Sequence, residues 1–264
     1  MTKICSVWSE SGGVGKTTTA VSLAMLAAEQ GHRSLLVDLD PRAASTKWLE
    51  IAPHQQGYHV GAILAAENPA GWADELAVTS TWHENLSVIP SDRSVANREA
   101  EKPDGGETRL RAALMGTAAD VVFIDCPNRQ GGMLAMNALM ASGSLVYSAT
   151  PTEDGVDGVE GARQTLATFA RSQQLRGSTL IPLDLGAVIT NVRDTVIPKV
   201  ERASIEYIND NDLALKPFIP TREAVRQARY NSEWYGQPGY DRAEPVIAAY
   251  RQVLHTILER TPDQ

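Results

Sequence analysis

Short apolar segments alternate with longer amphipathic segments along most of the chain. Short apolar runs predict buried strands, and segments with apolar residues every three or four positions predict helices. The predicted strands are residues 4–8, 34–38, 86–89, 121–125, 145–149 and 185–190. The predicted helices are residues 17–30 and approximately 132–142, 155–173, 195–209, 221–230 and 243–260. This alternation predicts an α/β fold in which helices cover both faces of a mostly parallel, twisted sheet.

Two stretches interrupt the pattern. Residues 52–84 are the least regular part of the chain, and the polar, charged residues 98–108 are predicted to form an exposed loop. No internal repeat or shift in composition marks a boundary, so residues 1–264 are predicted to form a single domain.

Composition narrows the class of protein. Hydrophobic residues make up 43% of the chain, as in a globular protein. The net charge of -8 argues against a protein that coats nucleic acid over its whole surface, but it allows a local basic patch. No apolar run reaches the roughly 18 residues of a membrane span. Cys5 and Cys126 lie in apolar runs, in a predicted strand and at the end of one, and neither has a C-x-x-C partner, which disfavours a disulfide or zinc framework and suits a reducing cytosol.

The most informative motif is S-G-G-V-G-K-T-T-T at residues 11–19, between the first predicted strand and the first predicted helix. Glycines let successive backbone N–H groups surround a phosphate, and the helix N-terminus adds its dipole. Lys16 is expected near the β- and γ-phosphates, and the Thr17 hydroxyl is expected to bind Mg²⁺. A purely structural glycine turn is the alternative, but G-K-T-T in this position favours a phosphate loop. The predicted nucleotide-binding residues here are Gly12, Gly13, Val14, Gly15, Lys16, Thr17 and Thr18.

Two other predicted strands have carboxylates at or just after their carboxyl ends. Asp38 and Asp40 lie in L-L-V-D-L-D-P-R-A-A-S-T, residues 35–46, and Asp125 ends the run V-V-F-I-D, which has a Walker B pattern. Ligands of open α/β sheets collect at the carboxyl ends of the strands. A buried carboxylate there needs a cation or strong hydrogen bonds, and Mg²⁺ is the expected cation. The alternative for Asp40 is a turn with Pro41 that simply ends the strand.

The loop departs from G-x-x-x-x-G-K-[ST] because Glu10 occupies the first glycine position. It resembles the deviant form K-G-G-x-G-K-[ST] of the ParA, MinD, nitrogenase iron protein and tail-anchored-protein-targeting ATPases. Residues 35–46 resemble the first switch of these proteins, D-x-D-P-Q, and residues 121–139 resemble the second switch of ParA proteins. Weaker similarities to ParA proteins lie in residues 84–92, 186–191 and 217–228. Since no helix-turn-helix precedes the first strand, the chain most resembles the small ParA-type partition ATPases of plasmids and chromosomes.

This resemblance implies a single P-loop Rossmann-like domain that hydrolyses ATP with Mg²⁺. It assigns catalysis to Lys16, Asp40 and Asp125, with Asp40 orienting the attacking water. The Mg²⁺ site would be formed by Thr17, Asp38 and Asp125. Asn191 and the backbone around Pro220 would contact adenine, although a strand-capping asparagine and a turn proline are the structural alternatives.

The resemblance also implies an ATP-dependent homodimer that binds DNA without sequence preference and has a ParB-like centromere-binding partner. It further implies a cytoplasmic, nucleoid-associated location without membrane contact. Arg222, Arg226 and Arg229 share one face of a predicted helix and are candidate DNA contacts; a solvated helix face is the alternative. Because they lie far from the phosphate loop in sequence, we expect glutamates there to weaken DNA association without changing nucleotide affinity.

Position 11 departs from the family. The family has a lysine there that reaches the phosphates of the dimer partner, and this chain has Ser11. We therefore expect a weakened ATP-dependent dimer and slow hydrolysis, unless Arg42 or Arg129 supplies the missing cation. Two other interpretations remain open: a deviant-Walker ATPase that positions or delivers non-DNA cargo, and a ParA-like protein with very weak hydrolysis.

Overall fold

The computed structural model describes residues 1–101, 103–194 and 197–264. In this part of the chain seven strands form one sheet in the order β3-β4-β2-β5-β1-β6-β7. All neighbouring strands are parallel except β3 and β4, which are antiparallel. The strands are β1 (Lys3–Trp8), β2 (Ser34–Asp38), β3 (Val78–Thr79), β4 (Leu86–Ile89), β5 (Val121–Asp125), β6 (Ser144–Ala149) and β7 (Leu183–Ile189).

Helices connect these strands. They are α1 (Lys16–Glu29), α2 (Ala44–Trp48), α3 (Val60–Ala65), α4 (Trp72–Leu76), α5 (Arg109–Leu114), α6 (Gly132–Ala141), α7 (Glu153–Leu175), α8 (Lys199–Asp210), α9 (Glu223–Tyr230) and α10 (Glu244–Arg260). Short 3-10 helices cover Arg93–Glu99, Gly106–Thr108 and Asp241–Ala243. The helix predicted over 195–209 corresponds to α8, and its first two predicted residues, 195 and 196, lie outside the described residues.

The sheet is covered on both faces because successive strand residues point to opposite sides. Leu36 and Phe123 belong to a core that includes α1 and α10. Their neighbours Val37 and Ile124 belong to a second core, formed with α3, α5 and α6. A third core holds Tyr147 beneath α7. The predicted P-loop Rossmann-like α/β fold, with a mostly parallel sheet and helices on both faces, is therefore confirmed.

Residues 98–108 differ from the predicted exposed loop. Residue 102 lies outside the described residues, and most of the others are only half exposed. The reason is a contact with α6: the Asn137 side chain donates a 2.9 Å hydrogen bond to the Gly106 carbonyl. This segment therefore packs on the body of the protein.

The parallel strands place the candidate site. The phosphate loop follows β1, and the register of β2 and β5 puts Asp38 directly opposite Asp125. Val7 of β1 is also paired with Asp125. Three separate parts of the sequence thus converge at one edge of the sheet. None of the helices in the described ranges is long and apolar enough to cross a bilayer.

Candidate nucleotide-binding site

The phosphate loop has the backbone that its glycines allow. Gly13 and Gly15 have φ angles of 75° and 82°, a left-handed conformation that favours glycine. A Cβ atom at position 15 would lie 2.9 Å from Thr190 Oγ1, so this position also needs a residue without a side chain. The Val14 carbonyl accepts hydrogen bonds from Ser148 Oγ at 2.7 Å and Thr190 Oγ1 at 2.8 Å. The residues at the carboxyl ends of β6 and β7 therefore hold the phosphate loop in place through the Val14 carbonyl.

Lys16 lies between two carboxylates. Its Nζ atom is 3.9 Å from Asp40 Oδ2 and 3.9 Å from Asp125 Oδ1, and only 9% of its side chain is exposed. A buried ammonium needs such partners. The arrangement holds a positive charge at the start of α1, where the helix dipole also attracts anions.

Asp125 has one satisfied oxygen and one unsatisfied oxygen. Oδ2 accepts a 2.6 Å hydrogen bond from Ser45 Oγ, whereas the buried Oδ1 has no hydrogen-bond partner among the described residues. Burial raises the pKa of Asp125, and the nearby Lys16 opposes this rise.

A hard divalent cation fits this oxygen. Mg²⁺ prefers oxygen ligands, and its positive charge would balance the negative charge of the buried carboxylate. Asp125 and the Thr17 hydroxyl are the residues that would hold it, beside the phosphates. No group of three or more histidine, cysteine or acidic side chains has metal-site geometry within the described ranges. Mg²⁺ would therefore depend on phosphate oxygens as well as on the protein, as is usual for this ion.

Asp38 organises the segment that follows β2. Its Oδ2 accepts hydrogen bonds from the Thr46 amide at 2.8 Å and the Thr46 hydroxyl at 2.7 Å, and its Oδ1 accepts one from the Asp40 amide at 3.2 Å. Burial, together with the charge of Asp125, raises the pKa of Asp38 to about 7. Both oxygens are thus occupied by the protein, and support of Mg²⁺ by Asp38 stays a prediction.

Asp40 lies at the edge of the cavity with its carboxylate fixed. Oδ1 accepts a 2.9 Å hydrogen bond from the Arg42 amide, and Oδ2 faces Lys16. The Asp40 carbonyl accepts a 2.9 Å hydrogen bond from Ser91 Oγ, after β4. This position is compatible with the predicted orientation of a water molecule.

A cavity of about 430 Å³ opens above the loop. Asn191 and Pro220 both line it, beside the apolar side chains of Ile219, Val225 and Val246. The two segments are joined where the Thr221 amide donates a 2.8 Å hydrogen bond to the Val192 carbonyl. An apolar wall with a polar asparagine suits a purine, and the predicted contact of Asn191 and Pro220 with adenine stays a prediction.

The three candidate DNA-binding arginines lie elsewhere than expected. Arg222, Arg226 and Arg229 all line the nucleotide cavity, so their separation from the phosphate loop in sequence is not a separation in space. The reason is that the chain after β7 returns to the same sheet edge before α9 begins. Arg222, which precedes the helix, pairs with Asp194. A role of these arginines in DNA binding stays a prediction, and their place in the cavity lining gives no support to the expected independence of nucleotide affinity.

Ser11 is bound to its own chain. Its hydroxyl donates a 2.7 Å hydrogen bond to the Asp154 carbonyl in the first turn of α7. Arg129 forms an ion pair with Glu99 at 3.5 Å, and Glu99 also accepts a 2.9 Å hydrogen bond from the Met133 amide at the start of α6. Arg129 is therefore held beside α6 and is not part of the cavity lining, whereas Arg42 is.

Four residues of the site were not predicted: Ser45, Ser91, Ser148 and Thr190. They act through single hydroxyl groups, for which a sequence gives little signal. Ser45 and Ser91 lie in segments that resemble the family, so this similarity was the available clue. Ser148 and Thr190 lie at the ends of apolar strands, and only the fold brings them to the loop.

Comparison with known proteins identifies the family of this chain. Residues 2–178 match the model of a family described as an AAA domain. The sporulation initiation inhibitor protein Soj of Bacillus subtilis is 35% identical over an alignment 240 positions long, which covers 86% of this chain and 88% of that protein. The chromosome partitioning protein ParA of Caulobacter vibrioides is 31% identical over an alignment 274 positions long, which covers 99% of this chain and 96% of that protein. The chain belongs to the ParA-type partition ATPases of the deviant-Walker family.

A solved structure outside the partition proteins is also similar to this ParA-type chain. Cobyrinic acid a,c-diamide synthase from Mycobacterium smegmatis, with an ATP analogue and magnesium bound, superimposes with a TM-score of 0.74 at 27% identity. The match covers 98% of this chain and 95% of the synthase. The fold of the ParA-type chain is thus one that holds both nucleotide and magnesium.

Proposed function

We propose that this chain is a DNA partition ATPase that changes state when it binds and hydrolyses ATP. The observation that carries the proposal is Lys16, held between Asp40 and Asp125 beneath a glycine loop that opens into a cavity. These groups are the ones needed to bind a triphosphate, retain Mg²⁺ and position a water molecule.

Each residue has a proposed part. The backbone of Gly12–Thr18 surrounds the phosphates, and Lys16 neutralises part of their charge. Thr17 and Asp125 would hold Mg²⁺, which would supply further positive charge beside the phosphates, and Asp38 supports this site by fixing the segment around Asp40. Asp40 orients the water that attacks the terminal phosphate. Asn191 and the backbone at Pro220 receive the adenine.

The bound nucleotide is proposed to control assembly. In the ATP state two copies form a homodimer that binds nucleoid DNA without sequence preference. A ParB-like centromere-binding protein stimulates hydrolysis and so releases the DNA. Basal hydrolysis is proposed to be slow, because Ser11 is short, uncharged and hydrogen-bonded to Asp154 of the same chain.

Co-sedimentation with nonspecific duplex DNA tests this proposal. We expect DNA association with ATP and Mg²⁺, little with ADP, and little without nucleotide. The Lys16→Ala variant should lose the dependence on ATP because it lacks the buried ammonium. Equal DNA association under all three conditions, or none with ATP, would contradict the proposed DNA-bound state.

The similarity to the Mycobacterium smegmatis synthase favours one alternative. In this alternative the same ATPase site serves a metabolic reaction or the positioning of non-DNA cargo. ATP hydrolysis that requires Lys16, combined with no ATP-dependent DNA association, would favour the alternative over the partition ATPase.

A further inference from the structure

Among the described residues, five cationic side chains line the nucleotide cavity, and they differ in the partners that they already contact. The five are Lys16, Arg42, Arg222, Arg226 and Arg229. Lys16 lies beside two carboxylates, and Arg222 pairs with Asp194. Arg226 Nη1 lies 3.2 Å from Glu223 Oε2, and the guanidinium carbon of Arg229 lies 5.6 Å from the ring centroid of Trp48. The Arg42 side chain, by contrast, has no ion pair or hydrogen bond with any residue that the structure describes.

The backbone of Arg42 is nevertheless fixed. Its amide donates a 2.9 Å hydrogen bond to Asp40 Oδ1, and its carbonyl accepts a 2.7 Å hydrogen bond from Lys47 Nζ. The residue is also exposed, so its guanidinium group is hydrated and free to bind an anion. A cation is therefore held two residues from Asp40, on the segment that follows β2.

Neither position 11 nor position 129 supplies a cation to the cavity. Ser11 is uncharged and bound to Asp154, and Arg129 is paired with Glu99 outside the cavity lining. Lys16 is shared with Asp40 and Asp125. A triphosphate would thus meet one partly neutralised lysine in the loop. The planar guanidinium group binds phosphate oxygens through paired hydrogen bonds, which suits Arg42 for the remaining charge.

We propose that Arg42 binds the terminal phosphate of ATP in the cavity of its own chain, and so supplies from the same subunit the charge that the family lysine would supply from the partner. This inference rests on the proposed ATPase function and names the residue that recognises the γ-phosphate. Arg42 would distinguish ATP from ADP, because ADP has no phosphate at that position. It would also stabilise the charge on that phosphate during hydrolysis.

Calorimetry and single-turnover hydrolysis of Arg42→Ala test the proposal. Loss of a charge-assisted hydrogen bond lowers affinity by about tenfold to a hundredfold. We expect a loss of this size in ATP affinity, little change in ADP affinity, and a similar loss in the hydrolysis rate. Arg42→Lys should recover part of the preference for ATP over ADP, which a purely structural role would not predict. Arg171→Ala, an exposed arginine on α7, is the matched control.

Two results would overturn the proposal. The first is an Arg42→Ala variant with the ATP-to-ADP affinity ratio and hydrolysis rate of the parent. The second is recovery of hydrolysis when Arg42→Ala is mixed with Lys16→Ala, because the arginine would then act on the nucleotide of the other subunit. All these measurements use nucleotide without DNA. Failure of the DNA experiment would therefore leave this proposal standing, and failure here would leave the DNA-bound state untouched.

Discussion

The Ser45 hydroxyl donates a 2.6 Å hydrogen bond to Asp125 Oδ2 and so joins α2 to the end of the central strand β5. Ser45 is fully buried, as is Asp125. The next residue, Thr46, donates hydrogen bonds to Asp38 from its amide and its hydroxyl. Two consecutive residues of α2 therefore connect it to two neighbouring strands, and any movement of α2 must change the surroundings of Asp125.

Replacing Ser45 with alanine should destabilise the protein. The change removes the hydrogen bond to Asp125 and leaves a buried carboxylate with less compensation, at a cost of about 1–3 kcal/mol. Urea denaturation of the nucleotide-free protein measures the loss. Mg²⁺ with ATP should offset part of it by binding the folded state. Ser204→Ala on α8 is the control, and equal stability of the two variants would refute a significant Ser45–Asp125 interaction.

Replacing Asp40 with alanine should stop turnover while ATP still binds. A residue that orients water stabilises the transition state more than the ground state. Removing it should lower the single-turnover rate by about 10²–10⁴-fold, the range for general acid–base groups. ATP affinity should be unchanged or higher, because Asp40 no longer competes for Lys16. Asp263→Ala, at the exposed C-terminal end, is the control; a parental rate in Asp40→Ala would remove Asp40 from the mechanism.

Replacing Arg222, Arg226 and Arg229 with glutamate should weaken ATP binding as well as DNA association. Three negative charges would then line a cavity that receives a triphosphate, and the repulsion should be strongest at low salt. Titration of ATP at two salt concentrations measures this effect. Glutamate at three exposed arginines, Arg171 on α7, Arg176 directly after it and Arg242, gives a control with the same change in charge. ATP affinity equal to that of the parent at low salt would show that these arginines do not face the nucleotide.

The two cysteines should be inert in the folded protein. Cys5 and Cys126 are buried, and burial raises the pKa of each thiol to about 12. The reactive form is the thiolate, so an aromatic disulfide reagent at pH 8 should modify neither residue until the protein unfolds. Both should react promptly in denaturant. Rapid reaction of one thiol without denaturant would reveal local opening near β1 or β5.

The regular part of the fold could be predicted because its strands are continuous apolar runs. All six predicted strands are present, with ends within two residues of those observed. The seventh strand, β3, was missed because Val78–Thr79 is only a two-residue edge strand. The helices α3 and α4 were missed within residues 52–84 because they span only six and five residues, too short to show a helical period.

The site could be predicted only where one segment carries its own signal. The loop at residues 11–19 and Asp125 have such signals, since each lies at a strand end in a recognisable pattern. The location of Arg229 could not be predicted, because only the folded sheet brings α9 to the loop. The hydrogen bond between Ser11 and Asp154 joins residues 143 positions apart, and no local pattern indicates it.

Helix α7 carries Gly155, Gly158 and Gly161, and each faces an atom that a side chain would displace. A Cβ atom at these positions would overlap the Thr150 carbonyl, the Ser11 hydroxyl and the Glu10 carboxylate, respectively. Glycine lowers helix stability by about 1 kcal/mol relative to alanine, yet at Gly155 alanine would meet the Thr150 backbone, which cannot move as easily as the Glu10 side chain beside Gly161. Tolerance to random mutation should therefore be uneven along α7. The half beside the phosphate loop should be sensitive to an added methyl group at its glycines, whereas in the half that ends at Leu175 only the buried Leu166, Phe169 and Gln173 should be restrictive.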